Sequence, residues 1–245
     1  MNNNQTVEKL RQMRLSAMAD HHYQNIKANR FAGFTPDEYI TLLTDHEWED
    51  RQAKKTDRLL RQASFKQKAS IGDIDYSHGR NLDKNMFERL AGLTFIQKKE
   101  NIIITGPSGV GKSYLAQAIG NQACMVGIKT AYGSTSRLLA KLKLSKVDGT
   151  YVKELKKLKN TELLILDDFG LQAFDSVTRE IIMDIIDDRF GESSTIVSSQ
   201  IPVSAWYDII GEGTIADAIL DRLVNSSHRI NLSGESLRRG ILKNE

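Results

Sequence analysis

Residues 101–113 read Asn101-Ile102-Ile103-Ile104-Thr105-Gly106-Pro107-Ser108-Gly109-Val110-Gly111-Lys112-Ser113. A short β-branched run leads into a glycine-rich turn, and residues 112–125 continue with helical period. From Gly106 to Ser113 the chain fits G-x-x-x-x-G-K-S at every fixed position, in the strand, loop and helix order that the pattern requires. The chemistry follows from the residue types. Gly106, Gly109 and Gly111 let the backbone turn sharply and aim N–H groups at a phosphate. The helix behind them adds its positive end. Lys112 then reaches the β- and γ-phosphates of ATP, and the Ser113 hydroxyl becomes a Mg²⁺ ligand. Pro107, Ser108 and Val110 complete the loop, and Tyr114 is the next candidate ATP-binding residue.

Downstream, strands and helices alternate. Strands are expected at 128–132, 162–167 and 195–199, and helices at 134–144, 151–158, 176–190 and 215–224. That order implies an α/β fold with a parallel, doubly wound sheet. Glu162–Asp167 is almost wholly apolar until it ends in acid, as a buried parallel strand beside a metal site should. Asp167 is the candidate Mg²⁺ ligand, and Asp168 the general base or water-positioning group. Gln200 ends the strand at 195–199 and is placed to reach the γ-phosphate or the attacking water, because ligands bind at the carboxyl ends of parallel strands.

The 245 residues are 27% charged and 40% hydrophobic, which excludes wholesale disorder. The single cysteine, Cys124, excludes a disulfide scaffold and cysteine-based zinc sites, and its apolar surroundings mark it as core filler. The first ten residues lack a signal-peptide core, and no apolar run approaches the ~20 residues needed to span a bilayer. A soluble, cytoplasmic protein with no membrane partner is expected.

Residues 1–65 carry only helical signals. Val7, Leu10, Met13, Leu15 and Met18 suggest one amphipathic stretch, and Thr35-Pro36-Asp37-Glu38 is a helix start. Residues 66–100 read as a connector and the N-terminal part of the module that follows, with a helix at 83–93. His21, His22 and His46 have no partners at metal-ligand spacing and read as ordinary polar residues. The net charge of +3 conceals two basic stretches. Residues 51–68 hold seven cations against Asp57, and residues 137–159 hold eight against Asp148 and Glu154. Arg51, Lys54, Lys55, Arg58 and Arg61 recur at three- and four-residue intervals, so one helix face can follow a phosphate backbone. With Lys66, Lys141 and Lys143 they are the candidate DNA contacts. Cations without base-reading partners suggest binding largely insensitive to sequence. For either run alone, a solvated helix face is an equal reading.

At this point the chain resembles a known family. GPSGVGKS, LLILDD and IVSSQ followed by IPVSAW look like the AAA+ ATPases, within the branch of DnaC-type helicase loaders and IstB, the helper ATPase of insertion-sequence transposition. RQAKKTDRLLRQASF, SIGDIDY and DAILDRLVNSSHRINLSGESLRR extend the resemblance over nearly the whole chain. It implies a P-loop AAA+ core over 101–245 with a truncated lid, preceded by a small all-helical DNA-binding domain. It puts Arg222 at the arginine-finger position, where it would reach the ATP of a neighbouring subunit of a homo-oligomer. Gln200 falls at the polar sensor position, and Arg238 is a candidate second sensor arginine. Asp168 stands where glutamate is common, which suggests slow hydrolysis.

The leading expectation is therefore an ATPase that uses ATP and Mg²⁺, assembles on duplex DNA, and delivers target DNA to a partner transposase of the IstA type. A DnaC-like loader of a replicative helicase is the alternative. A nucleotide-gated DNA clamp and a P-loop small-molecule kinase are readings of other classes.

Overall fold

The computed structural model describes residues 3–30, 33–77 and 79–237. The chain divides between Arg58 and Leu59 into two compact units. The first contains α1 (Asn3–Gln12), α2 (Ser16–Lys27) and most of α3 (Pro36–Ala63). The apolar series from Val7 to Met18 does not form one helix. Two-residue spacing from Met13 to Leu15 breaks the helical period, Arg14 turns left-handed with φ 61°, and a new helix begins at Ser16. The start of α3 is a reciprocal box. The Glu38 carboxylate accepts from the Thr35 N–H at 2.7 Å and its hydroxyl at 2.8 Å, while Thr35 Oγ1 accepts from the Glu38 N–H. The Thr35 backbone bond holds the Glu38 carboxyl below its ordinary range. His21 and His46 lie ring against ring, with centroids 4.5 Å apart.

The second unit begins with Leu59 and Ala63, which bury against Cys124. Burial pushes the Cys124 thiol up, away from reactivity. α4 (Lys84–Ala91), capped by Asp83, and α5 (Thr94–Gln97) follow. The remaining elements alternate: β1 (Asn101–Thr105), α6 (Lys112–Met125), β2 (Thr130–Ser134), α7 (Thr135–Val147), α8 (Tyr151–Lys159), β3 (Leu163–Asp167), α9 (Ser176–Arg189), β4 (Ser194–Ser199), α10 (Trp206–Ile210), α11 (Gly213–Val224) and β5 (Ser227–Asn231). The five strands are parallel in the order β2-β3-β4-β1-β5.

Period-two alternation shares the apolar strands between two cores. Ile102, Ile104, Leu163, Ile165 and Ile196 join Leu115 and Ile119 of α6 and Phe87 of α4. Ile103, Leu164, Leu166 and Val197 face the other way, against α7, α9 and α11. Each fully buried Ile or Leu contributes roughly 1.5–3 kcal/mol, so both faces must be covered for the sheet to persist. Residues 66–100, expected as a connector and the N-terminal part of the ATPase module, share in this packing, since Ala69, Ile74, Phe87, Leu90 and Phe95 are core residues. β2 lies two residues later than its expected start, because its register on β3 runs from Thr130↔Leu163 to Ser134↔Asp167. β5, which carries no strand signal in the sequence, is an edge strand paired only to β1, and its SHRIN sequence lacks a β-branched run.

Candidate nucleotide-binding site

β1, β3 and β4 all end at one edge of the sheet, and their carboxyl ends bring Gly106, Asp167 and Gln200 together. A cavity of about 590 Å³ opens there, bordered by Ser108, Gly109, Gly111 to Tyr114, Asp167, Asp168 and Gln200. The turn from β1 into α6 needs glycine for packing as well as torsion. Gly106 has φ +148°, and a Cβ there would stand 2.5 Å from the Leu232 carbonyl oxygen. At Gly111, φ +97°, a Cβ would meet the Arg80 guanidinium at 2.6 Å. No side chain caps α6, so its first N–H groups are left for an anion. Val110 is fully buried and anchors the loop in the core. Lys112, only 6% exposed, donates from Nζ to the Pro107 carbonyl at 2.7 Å.

Asp167 is 1% exposed and gathers donors on both oxygens. Its Oδ1 accepts from Ser113 Oγ at 2.8 Å, from the Asp168 N–H at 3.1 Å and from Ser198 Oγ. Its Oδ2 accepts from the Tyr132 hydroxyl at 2.5 Å. Burial and the Asp167 bond push the Tyr132 phenol far above its ordinary value, so it stays a donor. Ser113 and Asp167 thus present two hard oxygens side by side, which fits Mg²⁺, a cation usually held by one or two protein oxygens plus substrate phosphates. Asp168 takes a left-handed turn, φ 57°, and borders the cavity directly after Asp167.

Several site residues carry no signal in the sequence. Tyr132 and Ser198 sit on the strands flanking β3, and parallel register alone brings them to Asp167. Arg80, 5% exposed, donates to the carbonyls of Val110 at 3.2 Å and Asp75 at 2.8 Å, tying Asp75 to the loop. Leu237 N–H closes from the other side on the Gly109 carbonyl at 3.0 Å.

The remaining expected residues lie elsewhere or act differently. Arg222 ends α11, where its backbone carbonyl accepts from Asn101 at the start of β1, the opposite end of that strand from Gly106. Its Nε pairs with Asp187 at 3.1 Å, and the guanidinium lies over Phe190. It does not border its own chain's cavity. Arg238 falls outside the described residues. Lys66, expected among the DNA contacts, borders the nucleotide cavity with its ammonium 5.6 Å from the Tyr132 ring centroid. The turn after Ala63 carries it there. Arg51 pairs with Glu47 at 2.7 Å and donates to the Arg14 carbonyl, and Lys54 pairs with Asp50 at 2.6 Å. Lys55 and Arg58 are exposed and make no ion pair among the described residues, and Arg61 is exposed. In the second basic stretch, Lys141 meets Glu154 at 2.7 Å and Lys143 meets Asp175 at 2.8 Å. Lys146 and Lys159 pair with Glu180 and Asp188 of α9. Three of its cations, Lys143, Lys146 and Lys159, are thus paired with acids distant in sequence.

The fold and this site define a P-loop nucleotide-binding protein of the AAA+ type. The chain belongs to the IstB-like ATP-binding protein family, whose sequence profile matches residues 8–244. It is 44% identical to an insertion-sequence ATP-binding protein of Sinorhizobium fredii over 96% of both chains. It is 39% identical to the ATP-binding protein of insertion sequence IS1162 from Pseudomonas fluorescens, over 81% of this chain and 87% of that one. Among solved structures, DnaI superposes with TM-score 0.57 at 25% identity, covering 67% of this chain and 91% of that chain. AMPPCP-bound DnaA from Aquifex aeolicus shares the fold, with TM-score 0.57 at 19% identity over 74% of this chain and 55% of that one. Among the described residues no helix is long and apolar enough to cross a membrane.

Proposed function

We propose that this protein is a Mg²⁺-dependent ATPase that assembles as a homo-oligomer on duplex DNA and serves insertion-sequence transposition by delivering target DNA to a partner transposase of the IstA type. The observation that carries the reading is the convergence of Ser113 and Asp167, 2.8 Å apart, beside the loop from Gly106 to Lys112. The loop N–H groups and the Lys112 ammonium bind the phosphates and neutralise their charge. Ser113 and Asp167 hold Mg²⁺, which when bound shields the phosphate oxygens as a Lewis acid. Asp168 orients the attacking water and accepts its proton, and Gln200 directs its amide at the same region. Arg222, which does not border its own cavity, leaves its partners Asp187 and Phe190 to serve a neighbour's ATP across a subunit boundary. The exposed cations of α3 hold DNA through phosphates. The relatives from insertion sequences support the transposition role.

Phosphate release measured with and without duplex DNA tests this. Stimulation by DNA of mixed sequence supports it. Hydrolysis that ignores DNA and depends on a small-molecule acceptor would sink it in favour of a kinase. DNA-dependent assembly with ATP but no turnover points instead to a nucleotide-gated clamp. The second reading is a DnaC-like loader of a replicative helicase, and the solved DnaC helicase loader shares this fold. Capture of a replicative helicase, with no effect on transposase activity, favours that one.

A further inference from the structure

Two paths, one hydrogen-bonded throughout and one completed by ring contacts, leave the candidate Mg²⁺ ligands and meet at one short segment, residues 65–67, directly after the basic helix. The first runs through Gln117, a side chain 1% exposed on α6. Its Nε2 donates to the Ser113 carbonyl at 2.9 Å, while its Oε1 accepts from the Lys66 N–H at 2.7 Å and the Gln67 N–H at 3.2 Å. The second runs through Tyr132. Its hydroxyl donates to Asp167, its ring lies 6.3 Å from the Phe65 ring between centroids, and the Lys66 ammonium sits over it. A buried amide that spends its donor and acceptor on two different segments has no freedom to move one without the other. Ser113 and Asp167 are themselves joined, so the segment is tied to both ends of one oxygen pair.

We infer that Gln117 and Tyr132 are positioning residues that set the two Mg²⁺ ligands and couple them to the 65–67 linker, so that the linker's placement tunes Mg²⁺ affinity. The inference rests on the nucleotide-site reading above and supplies a route by which events at the basic helix reach ATP. Outer-sphere partners of this kind orient ligands and tune the ion they hold.

Two variants cut only the metal-side bonds. Tyr132→Phe keeps the ring against Phe65 and Lys66 but loses the bond to Asp167. Gln117→Glu keeps both linker bonds but has no donor for the Ser113 carbonyl. On the linker side, Lys66→Pro removes the N–H held by Gln117, and Phe65→Ala removes the ring beside Tyr132. The full-length protein is titrated with MgCl₂ while a non-hydrolysable fluorescent ATP analogue reports binding, and thermal melts without nucleotide check folding. The metal-side variants raise the Mg²⁺ midpoint by roughly 10-fold, the loss typical of an outer-sphere partner. Lys66→Pro or Phe65→Ala, whichever folds, shifts it the same way without touching either ligand. Metal-side midpoints equal to wild type overturn the positioning role, and linker midpoints equal to wild type overturn the coupling. A wild-type protein that binds the analogue equally with and without Mg²⁺ overturns the site reading and this inference with it. Failure of duplex DNA to stimulate wild-type hydrolysis is a separate outcome, which removes the DNA reading and leaves the midpoints standing.

Discussion

Ser113 Oγ lies 2.8 Å from Asp167 Oδ1, linking the first turn of α6 to the last residue of β3. One residue comes from the phosphate loop and the other from a strand two places away in the sheet, so the pair exists only when the β3-β4-β1 order has formed. Ser113→Ala removes one oxygen of the pair and leaves the loop N–H groups in place. The expected outcome is weaker ATP binding in Mg²⁺, by about 1.5–3 kcal/mol for the loss of a charge-assisted interaction, with little change in EDTA. Calorimetric titration with ATP under both conditions checks this.

Arg222 acts between subunits or not at all, because its own cavity lies beyond the opposite end of β1. Arg222→Ala therefore lowers turnover on the order of 10³-fold while ATP affinity stays near wild type. Mixing Arg222→Ala subunits with Lys112→Ala subunits restores part of the phosphate release, since each supplies what the other lacks. A mixture no more active than its parts counts against the role.

Neutralising Lys54, Lys55 and Arg58 together weakens duplex binding and flattens its salt dependence by roughly 0.9 in log–log slope for each phosphate left without its cation. The Lys54–Asp50 pair is exposed on its cation side and worth little in water, so it does not prevent Lys54 from turning to a phosphate. Fluorescence anisotropy across a salt series gives the slope, and an unchanged slope marks a merely solvated face.

Glu154 links α8 to α7 through Lys141 and carries a second lysine, Lys157. Hydrogen bonds from these lysines, Lys141 foremost, hold its carboxyl down at about 2, against an ordinary value of 4.5. The folded state thus binds the proton less readily than the unfolded chain. The stabilisation is complete above pH 4.5 and is lost as pH falls towards 2. Melting temperatures of wild type and Glu154→Gln should differ by a constant amount at neutral pH and converge through that acid window.

The local signals were legible because each depends on neighbours in sequence. The glycines of the loop, Lys112, Ser113 and the acid ending β3 each carry meaning within one strand and its turn. The cap at Thr35 is equally local. Lys66 was not legible, since its charge placed it with the α3 cations while the turn after Ala63 carries it into the nucleotide cavity. Nor was the pairing of Lys143 with Asp175 or Lys159 with Asp188, which joins helices some thirty residues apart. β5 escaped because an edge strand paired to one neighbour needs no continuous apolar run.

Torsion, period and apolar runs are properties of contiguous residues, so a parallel α/β sheet, a phosphate-binding turn and an acid at the end of a buried strand can be read along the chain. Which side chains surround that acid depends on the packed fold. Tyr132 and Ser198 come from separate strands, and strand order and register bring them within hydrogen-bonding reach of it, while Gln117 holds the Ser113 carbonyl and Arg80 the Val110 carbonyl. A buried carboxylate must find donors wherever the fold supplies them, and no spacing along the chain records where that is.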